Sequence, residues 1–332
     1  MNEKSLEVTK QYDFEIIRVI RGRGGMILHT DDGVKLLLEC RYAESYYDRE
    51  SIITEAIVGN GYNNVDTFVK NCDEKVVTYN ESDHKKYIIK NWFDGNECNV
   101  KSIDELSASV AALAKLHTAF DEVSLNIEKE SVNSSENFIM QYLRHTKELK
   151  KAMNYLKKKK KRSSYELLML KSIPYYYDEA IKAVNNLSKE KYTNRINQAI
   201  QNKELVHGAF NYHNVIISFG NVAITNFDKC RIDCQICDLY QFMRKILEKY
   251  NWSIEVAYKL INEYDKVRTI TEVDLQLLGA LFAFPEKYWK LINYYYNSNK
   301  AWIPPKSIEK LNVCMEQNYR RLDFLATIGA LC

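Results

Sequence analysis

Four stretches of this 332-residue chain place side chains or backbone freedom where chemistry could follow. In Arg21-Gly22-Arg23-Gly24-Gly25, the glycines Gly22, Gly24 and Gly25 would let backbone amides approach a phosphate closely. A bare tight turn between two strands uses the same glycines equally well. The run from His207 to Asn214, HGAFNYHN, gathers two imidazoles and two amides around a glycine, with Asn226 and Asp228 beyond it. Cys230, Cys234 and Cys237 are three thiols without an evident fourth ligand, so ordinary buried or surface thiols are the simpler reading than zinc or an iron-sulfur cluster. Lys157 to Arg162, KKKKKR, is either a polyanion patch or a solvated face; without interleaved aromatics the solvated face is the simpler reading. No Ser-His-Asp arrangement is present to suggest hydrolysis.

The elements that would carry these residues follow from periodicity. Tyr12 to Leu38 alternates short apolar runs with glycines and an Asp-Asp-Gly turn, which predicts antiparallel hairpins. Arg49 to Val58 reads as a helix, Val65 to Lys70 and Lys75 to Tyr79 as strands, and Lys86 to Phe93 as a central strand. Ile103 to Phe120 has helical spacing and an acid near its start that suits the helix dipole; its His117 is expected to be structural. Residues 138–170 and 165–203 read as helices, as do 253–266, 274–296 and 306–328. The expected fold class is α+β, with a small antiparallel-sheet lobe over residues 1–95 and a larger, mainly helical lobe over 96–332.

Composition narrows the partners. Forty-seven basic and forty-four acidic residues leave a formal charge of +3, too little for a dedicated nucleic-acid binder. Charges run through the N-terminal MNEKSLEVTKQYDFEI, so no secretory signal peptide is expected. The most apolar run, LLGALFAF at 277–284, is far below the roughly 20 residues that cross a bilayer, so no membrane partner is expected. Eight cysteines without paired spacing predict thiols that are reduced at synthesis.

Leu205 to Phe242, LVHGAFNYHNVIISFGNVAITNFDKCRIDCQICDLYQF, resembles the catalytic core of kinases of the aminoglycoside/choline phosphotransferase type. In those kinases a His-Gly-Asp motif, an Asn five residues after the Asp, and an Asp on the next strand assemble phosphoryl transfer. By that resemblance His207, Gly208 and Asn214 are in place, the general-base position is Ala209, and the metal-binding carboxylate position is Asn226. The register puts Leu38 where a lysine would hold the nucleotide's α and β phosphates, with Glu50, or else Glu55, as that lysine's partner. Lys35 lies three residues away, on the opposite strand face. Asp94-Gly95-Asn96-Glu97 falls at the hinge whose backbone would meet adenine, with Trp92 and Phe93 just before it as packing rather than base-stacking residues, so ATP and Mg²⁺ are the cofactors at issue. If residues 225–228 are extended, Asp228 shares a strand face with Asn226 and could replace its charge; His213 is a surrogate base only in a rebuilt loop. Asp238 is expected to brace the His-Gly loop.

The resemblance then widens. LLLEC (36–40), GYNNVD (61–66), YIIKNWFDGNECNV (87–100), LAKLH (113–117), HGAFNYHN (207–214), NFDKCRID (226–233) and FPEKYWKLINYYYN (284–297) resemble CotS-type spore coat proteins over nearly the whole chain. That resemblance implies a bilobal, protein-kinase-like fold, synthesis in a mother-cell cytoplasm, deposition in a spore coat, and other coat proteins as partners. The departures at Leu38, Ala209 and Asn226 imply a catalytically impaired kinase fold serving coat assembly. The alternative is an active ATP-dependent phosphotransferase on a small hydroxylated substrate, with a rearranged base and metal site. The 24 tyrosines would suit oxidative cross-linking, or equally helix packing.

Overall fold

The computed structural model describes residues 3–22, 24–126, 137–297 and 305–330, so Arg23 of the glycine-rich turn lies outside the described residues. It is a mixed α+β structure of two compact units. One comprises Met1–Ser134, Asn202–Phe242 and Asn262–Arg268; the other comprises Ser135–Gln201, Met243–Ile261 and Thr269–Cys332.

The first unit opens with a 3₁₀ segment, Glu3–Gln11, followed by strands β1 (Ile16–Arg21), β2 (Met26–Thr30) and β3 (Gly33–Glu39). Helix α1 (Glu44–Gly59), β4 (Phe68–Val69), β5 (Thr78–Asn80) and β6 (Lys85–Asn91) complete an antiparallel sheet ordered β1-β2-β3-β6-β4, with β5 also on β6. Alternation gives the sheet two faces. Leu37 and Ile89 pack with Val8, Tyr12, Met26, Leu28 and Tyr87 on one; Leu38 and Ile88 pack with Tyr47, Phe68 and Val76 on the other. The strands expected at 65–70 and 75–79 are shorter than their apolar content suggests. Asn71 Oδ1 accepts the backbone N–H groups of Asp73 and Lys75, and Glu74 has φ 61°, so a side-chain-stabilised turn interrupts the run.

The chain continues through β7 (Asn96–Glu97) and α2 (Ile103–Asn126). In the second unit, α3 (Phe138–Lys158) starts at an Asn137 cap, and α4 (Ser164–Leu187) at a Ser163/Glu166 capping box. Helix α5 (Glu190–Gln201) follows, and β8 (Leu205–Val206) returns the chain to the first unit. There β9 (Val215–Ser218) and β10 (Asn221–Ile224) form a hairpin, with β7 beside β9, while β11 (Arg231–Ile232) pairs with β8. Helix α6 (Ile236–Leu247) follows, then α7 (Ile254–Asp265), α8 (Glu272–Ala283), α9 (Glu286–Tyr296), α10 (Pro305–Glu316) and α11 (Asn318–Ala330). The helical pattern read across 274–296 is two helices, because Pro285 has no N–H to continue a ladder through Phe284. That across 306–328 is also two helices, α10 and α11, meeting at Gln317. The second unit's core uses its tyrosines as packing residues: Tyr176 stacks on Tyr288 at 3.8 Å and Tyr142 on Phe284 at 3.9 Å.

Candidate functional site

β8 delivers His207 and Gly208 to a loop braced from below by α6. Asp238, fully buried, accepts the backbone N–H groups of His207 at 2.6 Å and Gly208 at 2.9 Å. His117 Nε2 lies 3.2 Å from the same carboxylate, and its other ring nitrogen meets the Tyr264 hydroxyl at 2.7 Å. Burial alone would raise the Asp238 carboxyl; the His117 hydrogen bond, with the Arg231 guanidinium nearby, outweighs it and holds the group below its ordinary value. Gly208 is required as glycine: φ is +76°, and a Cβ there would stand 2.1 Å from the Lys229 carbonyl oxygen. His207 is buried between its own loop and the next strand, with Nε2 3.0 Å from the Thr225 carbonyl and Nδ1 accepting from Ala209 N–H. Burial depresses its pKa, against the pull of Asp238, so the imidazole is a neutral bracket between two backbone segments.

Where the base and metal groups are expected, neutral groups satisfy one another. Asn214 Nδ2 and Asn211 Nδ2 both donate to the Ala209 carbonyl, at 3.0 and 2.7 Å. Asn226 Nδ2 donates to Asn214 Oδ1 at 2.9 Å, placing the two amides in direct contact. Asn226 sits in the left-handed region (φ 66°, ψ 71°), which Asn tolerates better than most residues, and Phe227–Lys229 is a 3₁₀ turn. The expectation that Asp228 shares a strand face with Asn226 is therefore corrected, since that geometry needs extended backbone. The Asp228 carbonyl accepts the Tyr46 hydroxyl, and its carboxylate lies 3.6 Å from Lys229 Nζ. His213, the surrogate base, bonds through Nδ1 to Glu97.

The glycine-rich segment is a tight turn seated on β3. Gly22 N–H donates to the Gly25 carbonyl at 3.1 Å, and a Cβ on Gly25 would stand 2.4 Å from the Leu37 carbonyl and 2.7 Å from Leu38. Leu38 packs in the apolar cluster with Ile88. Lys35 Nζ bonds Asp32 and Asn91, on the other face from Leu38. At the end of β6, Trp92 N–H donates to Val34 and Asp94 is exposed; Gly95 passes so close to β9 that a Cβ would stand 2.4 Å from the Ile217 carbonyl. Trp92 and Phe93 are half-buried.

Glu50 does have a lysine, but from the neighbouring strand. Lys90 on β6 lies across from Leu36, and its ammonium sits 2.6 Å from Glu50 and 3.0 Å from Asp66, above the Phe68 ring at 4.5 Å. The side chains are 2%, 4% and 0% exposed, so one cation is buried with two carboxylates. Asp66 also accepts Asn226 N–H through both oxygens, at 3.0 and 3.1 Å. Burial pushes Asp66 up to about 6, with Lys90 opposing and Glu50 adding to the rise. Burial alone would lower Lys90; the two carboxylates outweigh it and hold the ammonium charged above its ordinary value. Sequence reasoning missed Lys90 and Asp66. The available signal was a lysine inside the apolar strand YIIKNWF, because a charge in a buried strand requires a partner.

These residues do not fit a Mg²⁺-nucleotide. The two amides nearest the expected metal position are bonded to each other, the nearby Asp66 is engaged by Lys90 and a backbone N–H, and β3 presents leucines. Among the described residues, no group of three or more His, Cys, Asp or Glu is placed to hold a metal ion. Cys230, Cys234 and Cys237 are buried; burial raises the Cys230 thiol, and the Cys234 contact with burial raises Cys237, away from the thiolate that metals need.

The sequence matches the family model described as "Spore coat putative kinase YutH" over residues 5–328. No curated protein matches significantly. The fold is similar to that of an aminoglycoside phosphotransferase from Alicyclobacillus acidocaldarius, with a TM-score of 0.84, 16% identity, and coverage of 98% of this chain and 95% of that one. It is also similar to a spectinomycin phosphotransferase in complex with ADP and spectinomycin, with a TM-score of 0.65, 10% identity, and coverage of 96% and 98%. An amicoumacin kinase bound to AMP-PNP and Ca²⁺ gives a TM-score of 0.60 at 12% identity, with coverage of 98% and 94%. At these identities the likeness is one of fold.

Proposed function

Given that the chain belongs to the spore coat putative kinase YutH family and has an aminoglycoside-phosphotransferase-like fold, we propose that it is a catalytically impaired kinase fold acting in spore coat assembly. The observation that carries this reading is the hydrogen bond between Asn226 and Asn214, two neutral amides closed on each other where phosphoryl transfer needs a carboxylate and a cation. Ala209 can neither accept a proton nor orient a hydroxyl, and Leu38 cannot contact a phosphate. Such losses are not additive, but together they remove the base, the metal charge and the phosphate anchor. The Lys90–Glu50–Asp66 cluster does not replace the anchor: its ammonium is already shared by two carboxylates, and the added charge of a triphosphate would be repelled.

What remains is the bracing: Asp238 holding the His207-Gly208 loop, His207 tied to Thr225, and Asp66 tied to the Asn226 turn. In this proposal the chain is made in the mother-cell cytoplasm, joins other coat proteins, and has its lobe boundary near Asp94-Gly95. Fractionation of spores together with a turnover assay tests it. The expected result is recovery in the coat layers and no ATP consumption across a panel of hydroxylated small molecules. ATP turnover abolished by a site variant would overturn the impaired reading, and absence from the coat fraction would overturn the assembly role.

A further inference from the structure

The second unit carries a concentration of charge that the kinase-like residues leave unexplained. Residues 146–162, TKELKKAMNYLKKKKKR, hold nine basic residues and one acid, although the whole chain has a formal charge of only +3. The remainder of the chain is therefore net acidic. On α3, the buried residues Tyr142, His145, Leu149, Ala152 and Leu156 occupy one face. At 100° per residue, Lys147, Lys151 and Lys158 form a stripe on the opposite face, with Lys150 and Lys157 beside it. Lys160 and Lys161 extend it into the turn before α4, and all seven lysines are exposed. None of the seven pairs with an acid among the described residues.

The other cations here have local duties. Arg162 donates to the Leu156 and Lys157 carbonyls and so caps α3, Lys159 bonds Glu166, and Arg144 lies 3.5 Å from Glu148. The helix between Lys147 and Lys158 is about 16 Å long, so the ridge is a line of unpaired ammonium groups.

We propose that this ridge is a docking surface for a carboxylate-rich polypeptide segment. Like charges held this close repel one another, and an acidic chain laid along them relieves the repulsion while releasing counterions. Three features favour a polypeptide over other polyanions. Both arginines are engaged, so the ridge lacks the free guanidinium forks that grip phosphates bidentately. The stretch holds a single ring, Tyr155, exposed with Tyr296 edge-on beside it and Lys159 at its face, which is too few for the row of rings on which successive bases stack. The apolar face of α3 is buried in the second unit, leaving nothing to insert beneath lipid headgroups.

The test is fluorescence anisotropy of labelled poly-L-glutamate with the full-length protein across a salt series. The ridge predicts binding that weakens steeply with salt. K157Q/K158Q/K160Q/K161Q, which keeps Lys159 and Arg162 in place, should bind at least about tenfold more weakly with a shallower log–log salt slope. K306Q/K310Q, on the exposed side of α10, should bind as wild type does, with melting temperatures checking the fold of both variants. An unchanged slope in the quadruple variant, or no binding to polyglutamate, overturns the proposal. Tighter binding to duplex DNA, single-stranded DNA or anionic vesicles than to polyglutamate overturns the choice of partner.

Discussion

Replacing Lys90 by Met should damage the first unit severely and in a pH-dependent way. The substitution keeps the side chain's length and apolar contacts but leaves Glu50 and Asp66, 4% and 0% exposed, facing each other without a cation. Removing one partner of a buried ion pair costs about 3–5 kcal/mol. A folded-state pKa raised above its unfolded value contributes stability that is present at low pH and lost as pH rises through the folded pKa. For Asp66, already raised to about 6, losing Lys90 moves that window higher, because the group that opposes the rise is gone. Between pH 7.5 and 5.0 one such carboxyl recovers up to about 3 kcal/mol, at roughly 1.4 kcal/mol per pH unit. Asp66→Asn supplies the contrast, since it leaves a one-to-one Lys90–Glu50 pair and an oxygen for Asn226 N–H; it should stay within about 1 kcal/mol of wild type at pH 7.5. Urea unfolding of the three proteins at both pH values is the assay. The reasoning fails if Lys90→Met lies within 1 kcal/mol of wild type at pH 7.5, or if its deficit is as large at pH 5.0.

Other expectations follow from the loop and its brace. Gly208→Ala should cost at least about 2 kcal/mol, or abolish soluble expression, because its Cβ would meet the Lys229 carbonyl at a positive φ; parallel urea curves and yields measure this. Asp238→Asn should cost about 3 kcal/mol at neutral pH. Because the Asp238 pKa is depressed, that penalty should shrink as pH falls through the carboxylate range, which a pH series of melting curves will show. His207 is also depressed, so the stability it contributes should be lost as pH falls below about 6.5; a His207→Gln variant should flatten that part of the profile. Ala209→Asp/Asn226→Asp restores two carboxylates without a phosphate lysine, and should gain stabilisation by Mg²⁺ alone without ATP turnover, as read by thermal shift and a phosphate-release assay.

The features of the fold legible in sequence are those governed by local chemistry. Alternation gave the hairpins of β1 to β3, and helical spacing marked α2 and α4, the latter continuing through Pro174. Asn226 is legible as a missing charge, but its left-handed backbone depends on tertiary context, and the 3₁₀ turn of Phe227–Lys229 after it removes the extended strand that would carry Asp228 to the same face. Lys90 stayed hidden for a different reason. Its partners lie 40 and 24 residues away on a helix and a loop, and only the pairing of β3 with β6 reveals that the lysine facing Glu50 comes from a neighbouring strand. The lysine ridge was visible as composition, yet its lack of counter-ions depends on which acids fold near it.

Calorimetric titration of the wild-type protein with ATP, with and without Mg²⁺, tests most directly the proposal that the site does not take Mg²⁺-ATP. The arrangement of Leu38, Ala209, Asn214 and Asn226 predicts no saturable heat up to millimolar nucleotide in either condition. Saturable, Mg²⁺-dependent binding in the micromolar range would contradict it.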